Sequence, residues 1–86
     1  MDGRRDELIR AVDLALAGDW EGAHSLAQRF ESDVNGNWLH AVLHKIEGDE
    51  GNSRYWYRRS GGHGYEDFAD AKAELAAIRT GLSLRA

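Results

Sequence analysis

Apolar residues recur along this chain at helical spacing, without the sustained alternation of a strand. Leu8, Val12, Ala15 and Leu16 fall on one face and predict a helix over 4–17. Gly18 suits the left-handed residue that ends many helices, and Asp19 can cap the next helix by accepting an orphan backbone N–H. Trp20, Ala23, Ala27 and Phe30 then give a second stripe that ends near residue 32. The cluster Asp33-Val34-Asn35-Gly36-Asn37 reads as a turn. A third helix over 38–47 carries Leu39, Val42, Leu43 and Ile46. Gly48-Asp49 ends it and opens a fourth helix over 50–60. Tyr55, Trp56 and Tyr57 are adjacent in that fourth helix. Each residue turns the helix by about 100°, so they cannot share a face. The fourth helix is therefore expected to lie between the third and fifth. After Ser60-Gly61-Gly62-His63-Gly64, a fifth helix over 65–79 carries Phe68, Ala71, Leu75 and Ile78. Gly81 is read as its end, with 82–86 fraying. Asp67, Asp70 and Glu74 read as its solvated face.

Gly18-Asp19 recurs as Gly48-Asp49, 30 positions later, and the register places Ala23 against Ser53 and Leu26 against Trp56. Short connections make successive helices antiparallel neighbours. The expected architecture is one all-α domain over 1–86: two stacked helical hairpins, 4–32 and 37–60, closed by a capping helix at 65–80. Its expected core is Leu8, Val12, Leu16, Trp20, Ala23, Leu26, Phe30, Leu39, Leu43, Ile46, Trp56, Phe68, Leu75 and Ile78.

Composition removes several function classes. The 86 residues include no Cys, which excludes a disulfide scaffold, a thiolate metal site and a cysteine nucleophile. No G-x-S-x-G occurs, so no serine-hydrolase elbow is present. The net charge is −4, and the only basic excess, +1, lies between Asn37 and Gly64. That balance argues against nucleic acid as a partner, including stacking of bases on Tyr55, Trp56 and Tyr57 beside Arg54 and Arg58. No apolar run approaches the ~20 residues of a membrane span, and the first residues lack an apolar signal core. A cytoplasmic protein without a membrane partner is the expectation.

The stretch Leu14-Ala15-Leu16-Ala17-Gly18-Asp19-Trp20-Glu21-Gly22-Ala23, continuing through Leu26-Ala27, resembles a tetratricopeptide-type repeat. The resemblance covers roughly residues 8–60. It departs from the family in its period, 30 instead of ~34, and in lacking the terminating Pro. It implies a protein-interaction module. Two units are fewer than the roughly three that usually sustain such a fold, so a homodimer or a protein partner covering a leftover apolar face is expected. The run from His40-Ala41-Val42-Leu43-His44 through Glu47-Gly48-Asp49 and Asn52 to Tyr55-Trp56-Tyr57-Arg58-Arg59 resembles a group of short, uncharacterised bacterial proteins, and implies no activity.

Two constellations carry candidate chemistry. His40 and His44 are spaced i, i+4, and Glu47 continues their stripe. Two imidazoles and a carboxylate suit zinc or another divalent ion, with His63 or His24 completing the set. Ala41 stands where the zinc-protease helix H-E-x-x-H has its general base, so metalloprotease chemistry is not supported. The alternative to the interaction module is therefore a small metal-binding or metal-dependent protein using His40, His44, Glu47 and His63. The second constellation is Arg58 and Arg59 ahead of Gly62 and Gly64. Preceded also by Arg54, that Gly-rich stretch is read as opening the fifth helix, and it suits a small anion because Arg forks and helix N-termini both attract anions. In both constellations a purely structural role, at the edge of the core or in surface ion pairs, is the competing expectation.

Overall fold

The computed structural model describes residues 3–84, and among them the chain is all-α. Its helices are α1 (Gly3–Leu16), α2 (Trp20–Ala27), α3 (Val34–Ile46), α4 (Glu50–Tyr57) and α5 (Ala71–Ser83), with a 3-10 turn at Gln28–Phe30. Two corners shape the first four. Gly18 and Gly48 adopt φ of 91° and 81°, in the left-handed region that side chains resist. The next N–H at each corner reaches back to close the turn: Asp19 to the Leu14 carbonyl at 2.8 Å, Asp49 to the His44 carbonyl at 2.9 Å. Each Asp then caps the following helix, Asp19 accepting from the Gly22 N–H and Asp49 from the Asn52 N–H. α1 thus packs on α2, and α3 on α4. Ala23 and Ser53 hold equivalent buried positions in the two pairs, where only small side chains fit. Ser53 also donates its hydroxyl to the Ala41 carbonyl at 2.6 Å.

Several boundaries differ from the sequence expectation; α4, for one, ends at Tyr57 and not at residue 60. α3 begins at Val34, four residues early, because Asp33 caps it by accepting from the Asn35 and Gly36 N–H groups at 2.8 and 3.2 Å. Gly36 thus lies in a helix and not in a turn. Its value is contact, since a Cβ there would meet the Phe30 carbonyl oxygen at 2.6 Å. The early start also buries Trp38, absent from the expected core. α5 begins at Ala71, capped by Asp70, and not at residue 65. The carbonyls of Tyr65 and Phe68 are taken by the Lys45 ammonium at 3.0 and 3.1 Å instead of by a helix. At its other end α5 runs through Gly81 to Ser83, held down by buried Leu82. Residues 85–86 of the expected fraying tail lie outside the described residues.

α5 lies against α1 and α3, so α4 is not sandwiched between α3 and α5 as expected. The core comprises Leu8, Ala11, Val12, Ala15, Ala23, Ala27, Trp38, Leu39, Ala41, Val42, Leu43, Tyr57, Leu75, Ile78 and Leu82. Leu16, Leu26, Phe30, Ile46, Trp56 and Phe68 border it. Trp20 is a correction: at 36% exposure it sits at the mouth of α2, outside the core.

The larger correction is Glu74. It was expected on a solvated face and is fully buried. Its carboxylate accepts from Trp38 Nε1–H at 2.8 Å and from the Tyr57 hydroxyl at 2.6 Å, and pairs with Lys45 Nζ at 2.7 Å. One carboxylate therefore ties α5 to α3 and α4. Burial, then the Glu74 hydrogen bond and charge, push the Tyr57 phenol well above its usual range, so it remains a donor. Removing one member of a buried pair strands the other, which costs about 3–5 kcal/mol. Lys45→Met is accordingly expected to lower the free energy of unfolding by about 3–5 kcal/mol, and Tyr57→Phe by about 1–2 kcal/mol. Urea denaturation followed by Trp fluorescence measures both, and a Lys45→Met loss below about 1 kcal/mol would contradict the assignment.

Candidate metal centre

The i, i+4 spacing does its geometric work in α3. The His40 and His44 rings stack with centroids 5.0 Å apart and planes 19° from parallel. Across from them stands His24 of α2, brought over by the contact between α2 and α3. Its ring meets His40 edge-on at 4.6 Å and His44 edge-on at 4.9 Å. One ligand nitrogen from each of the three rings lies within 4.8 Å of the others. His24 Nε2 and His40 Nε2 are only 2.8 Å apart, so without an ion one ring must donate its proton to the other. Trp56 of α4 stacks on His40 at 4.1 Å and helps leave it 2% exposed.

Two ring nitrogens here, His40 Nδ1 and His44 Nδ1, are buried without a hydrogen-bond partner. Glu47 and Asp49, at the corner after α3, place carboxylate oxygens 3.3 and 3.9 Å from His44 Nδ1. The cluster therefore holds three imidazoles with a carboxylate fringe on one side. Hydrogen bonds from Asn52 hold the Asp49 carboxyl below its ordinary range, so it stays charged.

Of the four residues singled out from the sequence, His40, His44 and Glu47 come together. His63 does not join them. Its ring stacks flat on Trp38 at 3.5 Å, 10° from parallel, and helps seat the loop over 58–70. The third ring is His24, 16 residues before His40 on a different hairpin. No spacing rule connects the two, and only the α2–α3 contact does.

The expected anion site lacks its helix start, though Arg58 and Gly64 line one cavity with Arg54 and His63, while Gly62 and Arg59 lie outside that lining. Gly62 and Gly64 lie in the loop over 58–70 and open no helix, and the true start of α5 is already filled by the Asp70 carboxylate on the Lys72 N–H at 3.0 Å. Arg59 lies over the Tyr55 ring at 3.9 Å and donates to the Tyr55 carbonyl at 3.3 Å. Arg54 is held by Glu50 and Glu66. Arg58 borders a cavity of about 210 Å³ beside Glu66. The three adjacent aromatics divide their work: Tyr55 is 40% exposed under Arg59, Trp56 covers His40, and Tyr57 donates to Glu74.

A cavity of about 520 Å³ adjoins the histidines. Its walls are Gly18, Asp19, Trp20, Glu21, His24, Ser25, Gln28 and Glu47, so His24 and Glu47 belong to both the cavity and the cluster.

Burial, reinforced by the neighbouring His24 and His44, pulls the His40 pKa down to about 4. Burial chiefly, and His44 next, also lower His24, against an opposing pull from Glu47. Both rings are therefore neutral at pH 7, the form a metal requires. The same shifts set a pH dependence for the metal-free protein. These groups bind protons less readily folded than unfolded, so stability is full above the unfolded pKa of about 6.5. It falls as pH drops from there toward 4. The expected loss by pH 4 is about 3 kcal/mol, or roughly 12–24 °C in Tm for a domain of this size. Thermal melts in chelator at closely spaced pH values measure it. The curve for His40→Gln should be flatter over that interval, and an equally steep one would exclude His40 as the source.

No protein-family model matches the chain, and no curated protein or solved structure matches it closely enough to show a relationship.

Proposed function

We propose that this protein binds a first-row transition-metal ion, zinc(II) foremost, through His24, His40 and His44. The observation that carries this reading is the convergence of three imidazoles from two hairpins, with their ligand nitrogens within 4.8 Å of one another. Three features support it. Imidazole donors without thiolates suit zinc, nickel, cobalt or copper better than calcium or magnesium. His40 Nδ1 is buried with no hydrogen-bond partner, a polar atom that an ion could satisfy. The Glu47 oxygen lies 3.3 Å from His44 Nδ1, where it can orient that ring and leave its other nitrogen to the ion.

The interaction-module reading has less behind it. α5 covers the face of α1 and α3 that two stacked hairpins would otherwise present. The exposed large apolar residues Trp20, Val34, Tyr55 and Leu84 come from four separate parts of the chain. No helix of the described residues is long and apolar enough to cross a membrane.

Titration calorimetry of tag-free, chelator-treated protein with zinc(II) tests the proposal. The expected result is one ion per chain, weakened at least about 100-fold by His24→Ala or His44→Ala, the upper end of what loss of even a supporting partner costs. Zinc at 100 times its Kd should also raise stability by about 2.7 kcal/mol, because the site exists only in the folded chain. Absence of both heat and thermal shift with zinc(II), cobalt(II) and copper(II) would reject it.

A further inference from the structure

The three histidines leave a tetrahedral ion one donor short, and the surroundings bear on what supplies the fourth. His40 is sealed on one side by the Trp56 ring. On the other side His24 and Glu47 form the boundary between the cluster and the 520 Å³ cavity. Glu47 stands at the end of α3, its side chain 43% exposed, with its oxygen beside His44 Nδ1. A carboxylate in that place can steady the ring of a ligand histidine and leave the opposite ring nitrogen to the ion.

We propose that the ion held by His24, His40 and His44 keeps one coordination position open toward this cavity, and that the position takes a small uncharged nitrogen donor, an amine or an imidazole, in preference to an anion. This rests on the metal-binding reading above. The choice of ligand comes from the walls. Asp19, Glu21 and Glu47 bring three carboxylates to the cavity, and no Lys or Arg lines it. Three carboxylates outnumber the two positive charges of the ion, so the occupied site disfavours an anion and tolerates a neutral molecule. Trp20, exposed at the mouth, offers a ring face for a flat or cationic body. Ser25 and Gln28 offer hydrogen-bonding groups further along the wall. In an open site the resting occupant is water, which a better nitrogen donor displaces.

Cobalt(II) reports this directly, because its visible absorption changes when a ligand enters or leaves. Tag-free protein loaded with one cobalt(II) is titrated with imidazole and, separately, with azide, and cobalt retention is checked by dialysis. Imidazole is expected to change the spectrum saturably at millimolar concentration with cobalt retained, and azide to bind at least about tenfold more weakly. Glu47→Gln should retain cobalt and the imidazole response. A wild-type spectrum indifferent to imidazole, with cobalt still bound, would overturn the open position but leave the metal site standing. So would a Glu47→Gln variant that alone admits imidazole, since Glu47 would then be the fourth ligand. Azide binding as tightly as imidazole would overturn the ligand class. Failure to bind cobalt or zinc at all would sink the metal reading itself.

Discussion

A single buried carboxylate organises the second half of this protein. Glu74 has no exposure, and its burial is sustained only by the Lys45 ammonium, the Trp38 indole N–H and the Tyr57 hydroxyl arriving together. An uncompensated charge in that position would cost far more than a small domain can spare. Several features follow from meeting that need. Lys45 is drawn inward, where it also gathers the carbonyls of Tyr65 and Phe68 and so fixes the path of the loop. Its ammonium then lies near the rings of Tyr57 and Tyr65, at 5.1 and 5.2 Å. α5 is tied to α3 and α4 by the same carboxylate, and the Arg79–Asp13 pair at 2.7 Å adds an exposed tie to α1. Exposed pairs of that kind contribute little, so the buried network is the dominant polar link.

That closure has a functional consequence. With α5 on the α1–α3 face, the seam between α2 and α3 is left on another side of the molecule. The three histidines occupy that seam. Burial, and the rings beside them, make protonation of His40 and His24 costly. The cluster gathers several unshared electron pairs in a small volume. A divalent cation would satisfy those pairs, and protons would compete with it on acidification. Since His24 belongs to one hairpin and His40 and His44 to the other, an ion there would also brace the two hairpins.

Local rules were legible where the chain obeys them locally. The helical stripes, the Gly-Asp corners and the i, i+4 histidine pair depend on residues a few positions apart, and each took the expected shape. Boundaries were misread where a side chain outweighed composition. Asp33 draws Val34, Asn35 and Gly36 into α3 despite their turn-like character, and Lys45 takes the carbonyls that would otherwise have let residues 65–70 continue as a helix.

The sequence by itself determined that the chain is helical, that it doubles back at Gly18 and Gly48, and that His40, His44 and Glu47 share one side of α3. These are consequences of backbone periodicity and of glycine's access to positive φ, which need no distant partner. Tertiary structure alone decided that His24 and not His63 joins the pair, that Glu74 is buried, and that α5 lies on α1 and α3. Each of these depends on residues 16 to 66 positions apart meeting across packed helices. Side-chain volume and the demand that every buried charge find a partner select such meetings, and neither is written in the spacing of residues along the chain.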